Sequence, residues 1–159
     1  ILVLGEDGAW KTAKHPLHND SPEKAGVGPG LSFARGVVDF FTEPVGLVPC
    51  AFGGSEIRRW LADGDLRQVA LEKLRTGQEQ GGVLQGVLWH QGESDSGSQH
   101  DADQYGQRLR SVIEDLRDGF GSEAVPFLLG ELGLEFLDTL GDARFAFAAS
   151  VNSTILEAS

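Results

Sequence analysis

The chain has 159 residues, 40% of them apolar and 23% charged, with a formal net charge of −11. That length falls within one domain and allows about 68–70% of the unfolded surface to be buried. The acidic balance argues against nucleic acid or an anionic membrane as partner, because both need basic patches; no run of about 18 or more apolar residues is present to span a bilayer.

Strand and helix signals alternate. Ile1–Leu4 is a short apolar run closed by Gly5 and predicts a strand. Residues Glu6 to Gly28 carry Gly, Pro, Asn and Asp throughout and read as a long loop. From Gly30 to Phe41, the residues Phe33, Ala34, Val37, Val38 and Phe41 share one helical face, and Glu43-Pro44 ends it. Val45 to Phe52 is apolar apart from Gly46 and Pro49, a second strand that closes at Gly53-Gly54-Ser55. Leu66, Val69, Ala70 and Leu74 make the next helical stripe, and Val83 to Trp89 the third strand. Asp101 or Asp103 is placed to cap a helix with the stripe Tyr105, Leu109, Val112 and Leu116. Pro126 to Leu129 predicts a fourth strand, and Phe145, Ala148, Val151 and Ile155 a last helix. This alternation predicts an α/β fold of βαβ units around a parallel sheet, with helices on both faces, in a single domain over residues 1–159.

The candidate site lies at the end of the third strand, where Val87-Leu88-Trp89 runs into His90-Gln91-Gly92-Glu93-Ser94-Asp95. Ligands in open α/β sheets bind outside the carboxyl ends of strands. Two residues apart on an extended segment, Gln91 and Glu93 point to the same side. An amide donor beside a carboxylate suits acyl transfer, one stabilising an oxyanion and the other orienting a histidine. A hydrogen-bonded strand end explains the same pair equally well. Gly53-Gly54-Ser55 either turns the chain or presents a backbone N–H to a ligand. Ser55 is a poor nucleophile candidate, because no G-x-S-x-G surrounds it. His90, Glu93, Asp95, His100, Asp101 and Asp103 match no metal-ligand spacing, and the acidic stretch after Gly97 reads as a solvated loop and helix cap. Gly26-Val27-Gly28-Pro29-Gly30 has the wrong spacing for a dinucleotide fingerprint and reads as the turn that starts a helix, so neither a metal nor a cofactor is expected.

The segment after Trp89 resembles the third conserved block of the sialate O-acetylesterase-like branch of the SGNH hydrolases, which includes carbohydrate esterase family six. His15-Pro16-Leu17-His18, Gly26 to Ala34, and Val45 to Ala51 followed by Gly53-Gly54 and Ile57-Arg58-Arg59-Trp60 resemble further blocks of that family in the same order. The resemblance implies a flavodoxin-like three-layer α/β/α sandwich and a serine esterase that removes acetyl groups from carbohydrates. It further implies that Gly53 or Gly54 gives a backbone oxyanion donor and Gln91 a side-chain one. Glu93 would orient a catalytic histidine or act as the triad acid. Arg58, Trp60 and His90 would shape the substrate pocket. The family's "GQSN" nucleophile block and "DxxH" histidine block do not occur in these residues, and the sequence contains no Met. The expectation is therefore an excerpt of a longer esterase that hydrolyses esters poorly by itself. The alternative is a non-catalytic glycan-binding or regulatory relative that has lost its nucleophile.

Overall fold

The computed structural model describes residues 1–18 and 26–158, which group into two compact units. The first comprises residues 1–53 and 69–84 and the second residues 54–68 and 85–159. In the first unit, β1 (Leu2–Leu4) pairs in parallel with β3 (Gly46–Leu47) and antiparallel with β2 (Trp10–Thr12). Between β1 and β3 in sequence lies α1 (Pro29–Val37), with Gly28 at its N-cap and Pro29 in its first turn. Proline is favoured there because its missing N–H has no intrahelical partner to lose. The Gly26–Gly30 stretch thus starts a helix, as its composition predicts. The buried positions of α1 are Leu31 and Ala34, while Phe33, Phe40 and Phe41 are exposed. Helix α2 (Asp65–Glu79) begins in the second unit and continues in the first, where Ala70 and Leu74 are buried.

The second unit is the one that carries the candidate site. Strands β4 (Val87–Trp89) and β5 (Phe127–Leu129) pair in parallel, Val87 opposite Phe127 and Trp89 opposite Leu129. Helix α3 (Gln99–Phe120) connects them, forming the βαβ unit that the alternation of signals predicts. Tyr105, Leu109, Val112, Ile113 and Leu116 of α3 are buried, the predicted stripe. Its cap is Ser98 and not an aspartate: Asp101 N donates to Ser98 Oγ at 3.1 Å, and Ser98 Oγ donates to Asp101 Oδ2 at 2.7 Å. Asp101 thus supplies both partners of the Ser98 hydroxyl, its N–H and its carboxylate. Helix α4 (Leu134–Leu140) follows β5, and α5 (Ala148–Ala158) packs Val151 and Ile155 against α3.

The fold is α/β with parallel strand pairs, but the strands are shorter than the apolar runs. Val83 is 76% exposed and only Val87–Trp89 pairs, so the third strand is limited to the residues with a ladder partner. Among the described residues the first unit holds a three-stranded sheet that includes an antiparallel strand, and the second unit a two-stranded parallel sheet. That strand, β2, falls within the predicted loop of residues 6–28; residues 19–25 of that loop lie outside the described residues. Among the described residues no helix is long and apolar enough to cross a membrane.

Candidate functional site

Strand β4 ends at Trp89, whose indole is buried with its ring 5.4 Å from that of Trp60 in an edge-to-face contact. Trp89 Nε1 donates to the Tyr105 hydroxyl at 3.3 Å, and that hydroxyl donates to the Gln91 carbonyl at 2.6 Å. Burial pushes the Tyr105 phenol well above its ordinary pKa, so it remains a neutral donor. The backbone of residue 91 is thereby tied to α3. Gly92 then takes φ +146°, a conformation open to glycine and strained for other residues. The chain turns there into a 3₁₀ turn over Glu93–Asp95.

That turn corrects the expected geometry of the pair. Gln91 and Glu93 do not share one side of an extended strand, because Gly92 interrupts it. The Gln91 side chain runs inward: its Nε2 donates to Ser55 O at 2.9 Å and to Asp95 Oδ2 at 2.7 Å. Both amide hydrogens are used, whereas the sequence reading has Gln91 presenting a free N–H. Asp95 is 2% exposed, and its Oδ2 also accepts the Ile57 backbone N–H at 2.9 Å. Arg108 Nη1 stands 3.9 Å from Asp95 Oδ1 and is shared with Asp101 at 3.1 Å. Burial raises the Asp95 pKa above its ordinary value, opposed by the Gln91 amide, the Ile57 N–H and the Arg108 charge.

The Gly53-Gly54-Ser55 segment meets this cluster from the other side. Gly54 has φ +71° and its backbone is exposed. Ser55 is buried, and its Oγ accepts Trp60 Nε1 at 3.3 Å. Beside the cluster lies a cleft of about 360 Å³ lined by Gly54, Glu56, Glu93, Ser94, Gly97, Arg144 and Phe145. Of the residues singled out in the sequence, Gly54 and Glu93 line this cleft, while Gln91 sits behind it on Ser55 O and Asp95.

The expected pocket residues lie elsewhere. Trp60 is a core residue, 6% exposed, packed on Trp89 and bonded to Ser55; an indole that buries its ring and satisfies its N–H has no face left for a ligand. Arg58 is exposed and ion-paired to Glu56 at 2.5 Å. The exposed ring of His90 contacts Glu131 O through Nε2 at 3.2 Å. Arg144 and Phe145 supply cleft wall that the sequence reading left unassigned. They precede α5, and Arg144 is held by Asp142 at 2.5 Å. Among the described residues no group of three or more His, Cys, Asp or Glu side chains is placed to hold a metal.

A family model for a carbohydrate esterase, sialic acid-specific acetylesterase, matches residues 1–157. The chain belongs to that family. It is 33% identical to the probable carbohydrate esterase At4g34215 of Arabidopsis thaliana, over 94% of this chain and 60% of the relative. The X-ray structure of the Arabidopsis thaliana protein AT4G34215 superposes with a TM-score of 0.89 at 31% identity, over 99% of this chain and 63% of that one. The family resemblance read from the His90–Asp95 and Gly53–Trp60 motifs is therefore correct, and the fold is that of an α/β esterase of this family. The chain spans less than two thirds of the length of these relatives.

Proposed function

We propose that this chain forms, within a single esterase domain, the oxyanion-binding side of a carbohydrate O-acetylesterase. The observation that supports this best is the convergence of the β4 end and the Gly54 loop. The Gln91 amide nitrogen lies 2.9 Å from the carbonyl of Ser55, next to the exposed Gly54 backbone, and the cleft opens on that loop. Acyl transfer develops negative charge on the ester carbonyl oxygen, and donors fixed in advance at that point lower the barrier. Gly54 and Gln91 are the two donors. Glu93, on the cleft wall, orients the histidine that takes the proton from the attacking serine. Glu56, Arg144 and Phe145 form the part of the wall that meets the sugar.

The test is acetate release by the natural protein that carries these residues, assayed on acetylated xylan and on O-acetylated sialic acid side by side. Release from either supports the reading. Absence of release from both, with retained glycan binding by calorimetry, supports a non-catalytic glycan-binding relative instead. The engagement of both Gln91 hydrogens favours that second reading.

A further inference from the structure

We infer that Asp95 is a positioning residue for the Gln91 amide: its buried carboxylate holds one Gln91 N–H and the Ile57 N–H together, leaving the second Gln91 N–H as the one a ligand oxygen takes from Ser55. This rests on the esterase reading for its consequence, though not for its geometry. A single oxygen, Oδ2, accepts from Gln91 Nε2 at 2.7 Å and from Ile57 N at 2.9 Å. Asp95 therefore ties the segment after β4 to the loop that carries Gly54. The two partners of Gln91 are unequal. A carboxylate acceptor makes a hydrogen bond roughly twice as strong as a neutral one, and the Asp95 contact is the shorter of the two. Ser55 O is a neutral carbonyl at 2.9 Å, so its hydrogen is the more readily exchanged. An oxyanion is a far better acceptor than an amide carbonyl, and it draws that hydrogen without disturbing the other.

The orientation of the amide is also fixed. Reversing it would set Gln91 Oε1 against Asp95 Oδ2 and Ser55 O, two acceptors, while Tyr105 lies 3.2 Å from Oε1 as it stands. Asp95 does not line the cleft. Its role runs through Gln91 and Ile57.

Two measurements on the natural protein test this together. The first is the ¹H–¹⁵N spectrum of the Gln91 side-chain amide, assigned by its disappearance in Gln91→Ala. We expect one of its two hydrogens to be shifted downfield and slow to exchange, and this signature to be lost in Asp95→Ala. The second is the kinetics of acetyl-ester hydrolysis. Asp95→Ala should lower kcat by about 10²-fold with KM within about twofold, as a misplaced catalytic group does. Asp95→Asn, which can present its carbonyl at the Oδ2 position, should recover most of that and lose about tenfold or less. Circular dichroism confirms that each variant is folded. Gln91 amide signals unchanged in Asp95→Ala overturn the inference, as does unchanged kcat in Asp95→Ala where Gln91→Ala is impaired. If the wild-type protein hydrolyses no acetyl ester, the esterase reading fails by itself; the amide spectrum then decides whether Asp95 positions Gln91.

Discussion

Gly92→Ala is the substitution whose effect follows most directly from the backbone. Gly92 is buried at φ +146°. A Cβ built there would lie 2.8 Å from Val151 Cγ1, 3.4 Å from Leu132 Cδ1 and 3.5 Å from Tyr105 Cζ. Val151 is fully buried and cannot swing aside. Backbone strain in a sparsely populated region costs about 1–3 kcal/mol, and forcing a methyl into a packed core costs about 1–3 kcal/mol more. The total of about 2–6 kcal/mol lowers the midpoint of thermal unfolding by roughly 5–20 °C for a chain of this size. Gly54→Ala is the control. Its φ is +71° but a Cβ there meets nothing within 4 Å, so only the conformational cost of about 1–2 kcal/mol applies. Thermal unfolding followed at 222 nm reads both. A Gly92→Ala midpoint within about 2 °C of wild type, or a larger loss for Gly54→Ala, refutes the account of the turn.

Asn152 accepts Leu132 N at 2.8 Å and donates to Leu132 O at 3.0 Å from a buried position; Asn152→Ala leaves both backbone groups unpaired and should cost about 2–4 kcal/mol, measured by urea unfolding. Burial pushes the Cys50 thiol up to about 11, Lys73 opposing it only in part. At pH 8 its thiolate fraction is roughly 10²-fold below that of an ordinary thiol. Iodoacetamide should therefore label the folded protein slowly and the denatured protein fast by intact mass, and equal rates would contradict the raised thiol pKa of the half-buried Cys50.

Much of this architecture can be read in the sequence where a long period repeats. The α3 stripe of Tyr105, Leu109, Val112 and Leu116 spans several turns and is buried as predicted. Strand β2 has only Trp10-Lys11-Thr12, too short for alternation to register, and it forms because β1 offers a hairpin partner across the Gly5–Ala9 turn. Helix α4 is similarly brief, seven residues between Gly133 and Gly141. Within the site, the motif and its place at the end of β4 are legible. The direction of Gln91 relative to Glu93 is not, because it depends on the torsions of Gly92 between them. In the sequence Asp95 is one of several polar residues without metal-ligand spacing, and only the folded turn shows it buried on Ile57 N. Trp60 is assigned to a pocket wall by the family resemblance alone, while its contact with Trp89, 29 positions away, is invisible to local pattern.

The most direct test of the central claim is the turnover of Gln91→Ala in the natural protein on an acetylated carbohydrate. If Gln91 supplies an oxyanion donor, kcat falls by about 10²–10³-fold while the protein stays folded. Wild-type turnover in that variant would remove Gln91 from the chemistry and contradict the account.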